Sequence, residues 1–238
     1  MDNSVAVCAP KKPRTCTPYY PVFLDVRGRF TVVVGGGSIA ERKVDGLLKA
    51  GARVRVVSPD VTAGLEVRVN EGSVTLERRL YGEGDLKGAF LVYAATDDAA
   101  INEAVYAEAE ARGVLANVAD DPQHCNFIVP SVARRGSLQF AVSTGGAAPV
   151  LAKRLRCELE ERYSDDWAVY TDLLSEVRML VRDRISGGET ERAAVLEAAC
   201  DLGLLGRLRA GEVLDAESVY IEALDAVDES GFKAGESR

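Results

Sequence analysis

The strongest constraint in this chain is the junction at residues 31–43, TVVVGGGSIAERK, where a β-branched run meets three glycines and then a helical pattern. Residues 30–34 read as a short buried strand, with Gly28 before it and Gly35 after it. Residues 39–50 put Ala40, Val44, Leu47 and Leu48 on one helical face, and Gly51 follows as a stop. Gly35-x-Gly37-x-x-Ala40 is a variant of the dinucleotide fingerprint. In it Gly35 permits the tight turn, Gly37 lets backbone approach a pyrophosphate, and Ala40 lets the helix lie close on the sheet. The helix start offers free N–H groups and partial positive charge to phosphates. A glycine motif alone is weak, and a bare strand-to-helix turn is its plain alternative. The flanking strand and helix are what make it specific.

Strand and helix signals keep alternating afterwards. Residues 53–58, 74–77, 89–95 and 114–118 read as strands, and residues 97–112 as a helix capped by Asp97 or Asp98. Short links with this alternation imply right-handed crossovers and a parallel sheet. After Asp120 the pattern changes. Residues 127–132 and 138–143 are strand-like and joined by Arg134, Arg135, Gly136 and Ser137, as in a hairpin or a pair of exchanged strands. Pro149 suits a first helical position. Helices are expected at residues 150–163 and 167–185, the second with Leu173, Val177, Leu180 and Val181 along one side, and the remainder is helical and alanine-rich. The fold class is therefore α/β: an N-terminal Rossmann-like parallel sheet, a small strand-rich central segment, and a C-terminal helical domain. The expected divisions are a loose tail at 1–18, then 19–122, 123–163 and 164–238.

Composition excludes several functions. A formal charge of −8 argues against a nucleic-acid binder, which needs a basic face. No apolar run reaches the ~20 residues of a membrane helix, and residues 1–18 lack the apolar centre of a signal peptide. Five scattered cysteines without a C-x-x-C pair read as reduced thiols. The expected location is the cytoplasm. The negative total also means that an anionic ligand must find a local basic site.

Candidate site residues fall beyond the strand ends. A ribose-binding acid is expected ~20 residues past the glycines; Asp60 stands slightly late, so it meets the ribose or only faces solvent. No Arg follows closely, which favours NAD over NADP. Asp120 follows the last parallel strand, where it suits proton transfer, or caps the turn before Asp121-Pro122. Asn117 ends that strand near an expected nicotinamide, or caps backbone. Arg134, Arg135, Lys153, Arg154 and Arg156 form two basic clusters flanking Ser143-Thr144-Gly145-Gly146, either an anion-binding surface or solvated charge. The glycines of that loop leave N–H groups open to an anion, or make a small-residue turn. His124 is the only histidine, which rules out a two-histidine metal site within one chain. Cys125 beside it reads as a small buried thiol. The Leu173–Val181 stripe is core, or one wall of a ligand cleft.

Four segments together carry a resemblance: YYPVFLDVRGRFTVVVGGGSIAERKVDGLLKAGARVRVVSP, AATDDAAIN, NVADDPQHCNFIVPS and AVSTGGAAPVLAKRLRCELE. Over residues 19–163 the chain resembles the siroheme-synthase dehydrogenase module, whose members act as precorrin-2 dehydrogenases and in part as sirohydrochlorin ferrochelatases. The resemblance implies NAD-dependent oxidation of precorrin-2 to sirohydrochlorin, with Fe(II) as a further substrate in some relatives. It also implies a homodimer built through the central segment, and, with no methyltransferase domain in view, the free-standing form. By the same resemblance NAD meets Gly35, Gly36, Gly37, Ser38 and Ile39, and Pro59 and Asp60. Asp120 is the key acid; its carboxylate could also hold a metal, with His124 and Cys125 as weaker alternatives, the metal itself being unassigned. The tetrapyrrole meets Asn117, Ser143, Thr144, Gly145, Gly146 and Arg154. Thr144 stands where some relatives carry a serine that can be phosphorylated, which leaves that modification open. The competing class is a non-enzymatic NAD-binding sensor, since such sheets are reused for regulation.

Overall fold

The computed structural model describes residues 19–229, so the tail expected at 1–18 lies outside the described residues. The chain divides into two compact units, Met1–Val129 and Pro130–Arg238.

The first unit contains β1 (Phe30–Val34), α1 (Ser38–Lys49), β2 (Arg53–Val57), α2 (Ala63–Asn70), β3 (Val74–Glu77), β4 (Leu91–Ala94), α3 (Ala99–Arg112), β5 (Leu115–Val118) and a 3-10 turn at Pro122–His124. Its strands form one sheet in the order β3-β2-β1-β4-β5, every pair parallel. The chain winds outward from β1 to β3, then returns to lay β4 on the other side of β1. The switch point therefore falls between β1 and β4, where a crevice opens at the strands' carboxyl ends.

Both faces of the sheet are covered, which is why the central strands β1 and β4 are almost continuously buried, while β2 and β3 nearer the edge still carry Arg53, Arg55, Thr75 and Glu77. Val33, Val54 and Val56 pack with Ala40, Val44 and Leu47 of α1 and Leu65 of α2. Val32, Val34, Val57, Val92 and Ala94 face the other way, onto Val105 and Ala109 of α3. Leu65 and Leu86 are completely buried, and truncating either to alanine would cost about 2–5 kcal/mol. The start of α3 is settled in favour of Asp98, whose carboxylate accepts from the N–H groups of Ala100 (2.9 Å) and Ile101 (3.2 Å). Helix α2 is new relative to the sequence reading. Its valines favour strand locally, and a single buried residue, Leu65, gives it no readable stripe. What secures it is Thr62, whose hydroxyl accepts from Leu65 N–H at 3.2 Å and donates to Glu41 of α1 at 2.6 Å.

The second unit contains β6 (Ser131–Arg135), β7 (Leu138–Val142), α4 (Pro149–Arg162), α5 (Asp166–Arg184), α6 (Glu189–Asp201), α7 (Leu204–Arg209) and α8 (Ala216–Glu229). β6 and β7 are antiparallel and close at the pair Arg135–Leu138, leaving Gly136 and Ser137 as a two-residue turn. The strand expected from 127 begins only at Ser131: Phe127 instead packs edge-to-face on Tyr93 of the first unit, with ring centres 5.6 Å apart. Leu173, Val177 and Val181 of α5 form a core with Val195, Ala199, Leu204, Val219 and Ala223. That stripe is core between helices, and its alternative reading as a cleft wall is withdrawn. Among the described residues no helix is long and apolar enough to cross a membrane.

Candidate active site

The three glycines after β1 have distinct structural roles. Gly35 has φ +114°, and a Cβ there would lie 2.3 Å from the Ala95 carbonyl oxygen beyond β4. A Cβ on Gly36 would lie 1.9 Å from the Asp60 carbonyl oxygen beyond β2. That carbonyl is itself held by the Ser58 hydroxyl, which donates to it at 2.6 Å, while Thr62 N–H donates to the Gly36 carbonyl at 2.9 Å. These two glycines let three strand ends converge. Gly37 differs: a Cβ there would meet nothing within 4 Å. It is the N-cap of α1, and no side chain caps the first turn. An open space therefore faces unsatisfied N–H groups at the positive end of α1, a setting that suits a pyrophosphate. Ala40, fully buried, lets α1 sit close on the sheet.

A cleft of about 470 Å³ opens there, lined by Gly35, Gly36, Gly37, Ser38 and Ile39 on one side and Val57, Ser58, Pro59 and Asp60 on the next. All seven residues assigned to the cofactor from the sequence thus share one wall-to-wall cleft. Leu80, Tyr81, Thr96, Asp97, Asp98 and Ile101 complete the lining. The sequence reading did not single these out, although AATDDAAIN follows a buried strand and so marks a strand-end loop. Thr96 is tied to Asn102, whose side-chain amide donates to the Thr96 carbonyl at 2.9 Å. The lining includes Asp60, Asp97 and Asp98 and neither Lys nor Arg. A 2′-phosphate would meet acids and no cation. NAD is therefore expected to outperform NADP by about 10- to 100-fold in kcat/KM, measured with the two cofactors side by side; equal use would contradict this account of the lining.

Asp120 lies just past β5. Ala119 N–H donates to the Ala94 carbonyl at 2.8 Å, which extends the β4–β5 ladder and brings Asp120 to the strand end beside the one that Gly35 abuts. Asp120 has φ +58°, the sole non-glycine residue with positive φ among the described residues. Aspartate tolerates this region better than most side chains, yet a persistent left-handed residue is a feature of functional sites. The turn-cap role belongs to its neighbour. Asp121 accepts from Gln123 N–H at 3.1 Å and from His124 Nδ1 at 2.5 Å. The His124 ring beside it holds the Asp121 carboxyl below the usual carboxylate range. Asp120 is exposed, and its carboxylate makes no hydrogen bond or ion pair among the described residues.

The neighbours of Asp120 are structural. His124 stacks edge-to-face on Tyr106 at 4.8 Å. The Cys125 thiol is buried, accepting from Val118 N–H at 3.2 Å and lying 3.1 Å from the Asp121 carbonyl. Asn117 bridges back to Cys125, and its amide nitrogen donates to the Phe127 carbonyl at 3.0 Å. Asn117 is not part of the cleft lining. Among the described residues no three His, Cys, Asp or Glu side chains converge to hold a metal ion.

In the second unit the loop at residues 143–146 folds on itself. Gly145 N–H donates to the Ser143 hydroxyl at 3.1 Å, and Ala148 N–H to the Thr144 hydroxyl at 3.0 Å. Gly145 and Gly146 both have positive φ, and a Cβ at either would meet nothing within 4 Å. The five cations divide. Arg156 pairs with Glu160, and Arg135 donates to the Glu160 carbonyl at 2.7 Å, so both are engaged internally. Arg134 reaches Gln139 at 3.3 Å, while Lys153 and Arg154 are exposed.

Comparison with known proteins follows this geometry. A family model for NAD(P)-binding domains matches residues 22–131, and one for the central part of sirohaem biosynthesis proteins matches residues 135–162. Among solved structures, the precorrin-2 dehydrogenase SirC aligns with a TM-score of 0.69 and 31% identity, covering 89% of this chain and 100% of that one. The chain belongs to the siroheme-synthase dehydrogenase family. Within that family it is 40% identical over 214 residues to the siroheme synthase of Nitrosococcus oceani, covering 90% of this chain and 45% of the relative. It is 45% identical over 172 residues to that of Methylobacillus flagellatus, covering 72% of this chain and 37% of the relative. The chain thus spans less than half the length of these curated siroheme synthases. The first family match contains the glycine cleft and Asp120, and the second contains the Ser143 loop and Arg154.

Proposed function

We propose that this chain is an NAD-dependent precorrin-2 dehydrogenase, oxidising precorrin-2 to sirohydrochlorin. The observation that carries the reading is Asp120: a left-handed, unpartnered carboxylate at the strand end adjoining the glycine turn, freed because Asp121 does the capping. A sensor would need the cleft but gives no role to that acid, and the family relationship disfavours it.

In this reading Gly35, Gly36, Gly37, Ser38 and Ile39 hold the pyrophosphate through backbone N–H groups, and Pro59 and Asp60 meet the adenosine ribose. Bound NAD supplies the hydride acceptor. Oxidation also releases one proton, and Asp120 accepts it from the macrocycle, an exposed carboxylate with no competing partner among the described residues being free to do so. Asn117, Ser143, Thr144, Gly145, Gly146 and Arg154 form the tetrapyrrole-binding set, the loop offering N–H groups and Arg154 a cation for carboxylates. Fe(II) is proposed as a second substrate, with Asp120 as the protein's carboxylate toward it. Homodimerisation through the central segment, a cytoplasmic location, and the division at 19–122, 123–163 and 164–238 belong to the same proposal.

The test is an absorbance assay with purified protein, precorrin-2 and NAD in the presence of a chelator. Sirohydrochlorin should accumulate, and only when NAD is present. Failure of the wild-type chain to oxidise precorrin-2 would remove the dehydrogenase reading. Fe(II) added afterwards, with the spontaneous rate subtracted, decides whether the chain also inserts iron.

A further inference from the structure

Lys43 is a cation that the cofactor cleft does not use. It lies on α1, outside the cleft lining, and its ammonium sits 4.8 Å from the centre of the Tyr93 ring. Tyr93 is 8% exposed, belongs to β4, and is aligned with Asn117 of β5. Phe127 packs edge-to-face against the same ring, centres 5.6 Å apart. Lys43 is half-buried, and no carboxylate of the described residues lies within ion-pair distance of it. Burial and then the Arg42 cation push the ammonium below its ordinary value, while Cys125 and Asp120 pull the other way. Burial likewise pushes the Tyr93 phenol up to about 12 and keeps it neutral.

Such an arrangement is costly without an anion. A cation drawn partly out of water loses hydration, and a ring face returns only about 0.5–2 kcal/mol. Among the other half-buried cations of this unit, Arg68 has Asp45 at 2.6 Å, while Arg55 lies over the Phe30 ring at 4.8 Å and has no carboxylate at ion-pair distance among the described residues. Lys43 has a π face and no ion pair among the described residues, and the Tyr93 ring beneath it is in register with Asn117, three residues before Asp120 on the next strand end.

We propose that Lys43 is a substrate-binding residue, its ammonium receiving an acetate or propionate carboxylate of the tetrapyrrole beside Asp120. This rests on the dehydrogenase reading and deepens it, because it names a contact that orients a polyacidic macrocycle relative to the proton acceptor. Tyr93 acts through Lys43 as a positioning residue, holding the ammonium against its ring.

The test uses Lys43→Met, which keeps the unbranched stem over Tyr93 and removes the charge, and Lys43→Arg, which keeps the charge. Each is titrated with sirohydrochlorin alone, without NAD or metal, following the macrocycle's absorbance. Lys43→Met should weaken binding by about 10-fold and flatten its salt dependence, and Lys43→Arg should stay within about 3-fold of wild type. In turnover, KM for precorrin-2 should rise in Lys43→Met with a much smaller change in kcat, and NAD affinity should be unchanged in both. Unaltered sirohydrochlorin affinity and salt dependence in Lys43→Met, with an active wild type, would overturn the Lys43 assignment alone. Equal weakening in both variants would assign Lys43 a packing role and overturn it as well. A wild type that neither binds sirohydrochlorin nor oxidises precorrin-2 would overturn the dehydrogenase reading and this inference with it.

Discussion

Asp120→Ala is expected to bind NAD as tightly as wild type and to lose dehydrogenase turnover by about 10²- to 10⁴-fold in kcat. The two effects separate because Asp120 lies outside the cofactor lining and its side chain supports no other group among the described residues. The cost to the fold should be limited to the strain of alanine at positive φ, about 1 kcal/mol. Removing a left-handed aspartate deletes no hydrogen bond, and the cap on the following turn belongs to Asp121. Asp120→Asn is the sharper variant, since asparagine also tolerates positive φ but cannot accept the proton. Fluorescence titration with NAD and the metal-free absorbance assay measure the two quantities independently. Near-normal turnover in Asp120→Asn would end the role assigned to this residue. Asp121→Asn supplies the contrast: it should disturb the His124 contact and stability before it disturbs rate.

The second large effect concerns the glycines, where neighbouring positions should fail in different ways. Gly37→Leu fills open space at the first turn of α1, so NAD affinity should fall by at least about 10-fold while the melting temperature stays close to wild type. Gly36→Ala pushes a methyl to within 1.9 Å of the Asp60 carbonyl, and that backbone must move. The cost is about 1–3 kcal/mol, as for other overpacked sites, so thermal unfolding should shift first. Calorimetry and NAD titration on the pair distinguish a ligand cradle from a packing crossing. Gly37→Leu binding NAD normally would mean that α1 does not carry the pyrophosphate.

The β1–α1 junction was legible because its chemistry is local: a strand, obligatory glycines and a small residue at Ala40 all fall within a few positions. The parallel sheet followed from strand–helix alternation with short links, and the continuous apolar run at 89–95 marked a strand covered on both faces. Helix α2 was not legible, because its valines speak for a strand and its security comes from Thr62 reaching across to Glu41, a long-range bond. The start of β6 was misplaced for a related reason: Phe127 is as apolar as a strand residue but is spent on Tyr93. At the site, sequence reading could mark the pair Asp120-Asp121 but could not tell which one caps and which one is spare. Lys43 was invisible, since a lysine inside ERK reads as a solvated helix surface until the Tyr93 ring is seen beneath it. The separation of Arg154 from Arg156 also needed tertiary contacts, because Glu160 neutralises one and leaves the other exposed.

The antiparallel bridge between Asn117 and Cys125 has a mechanical meaning. It fastens both ends of the segment that carries Asp120 to the rim of the sheet, so that carboxylate rides on a stapled arch and not on a swinging loop. Such an arch has few internal degrees of freedom left to surrender when a macrocycle arrives, so most of the binding free energy can go into orienting the substrate.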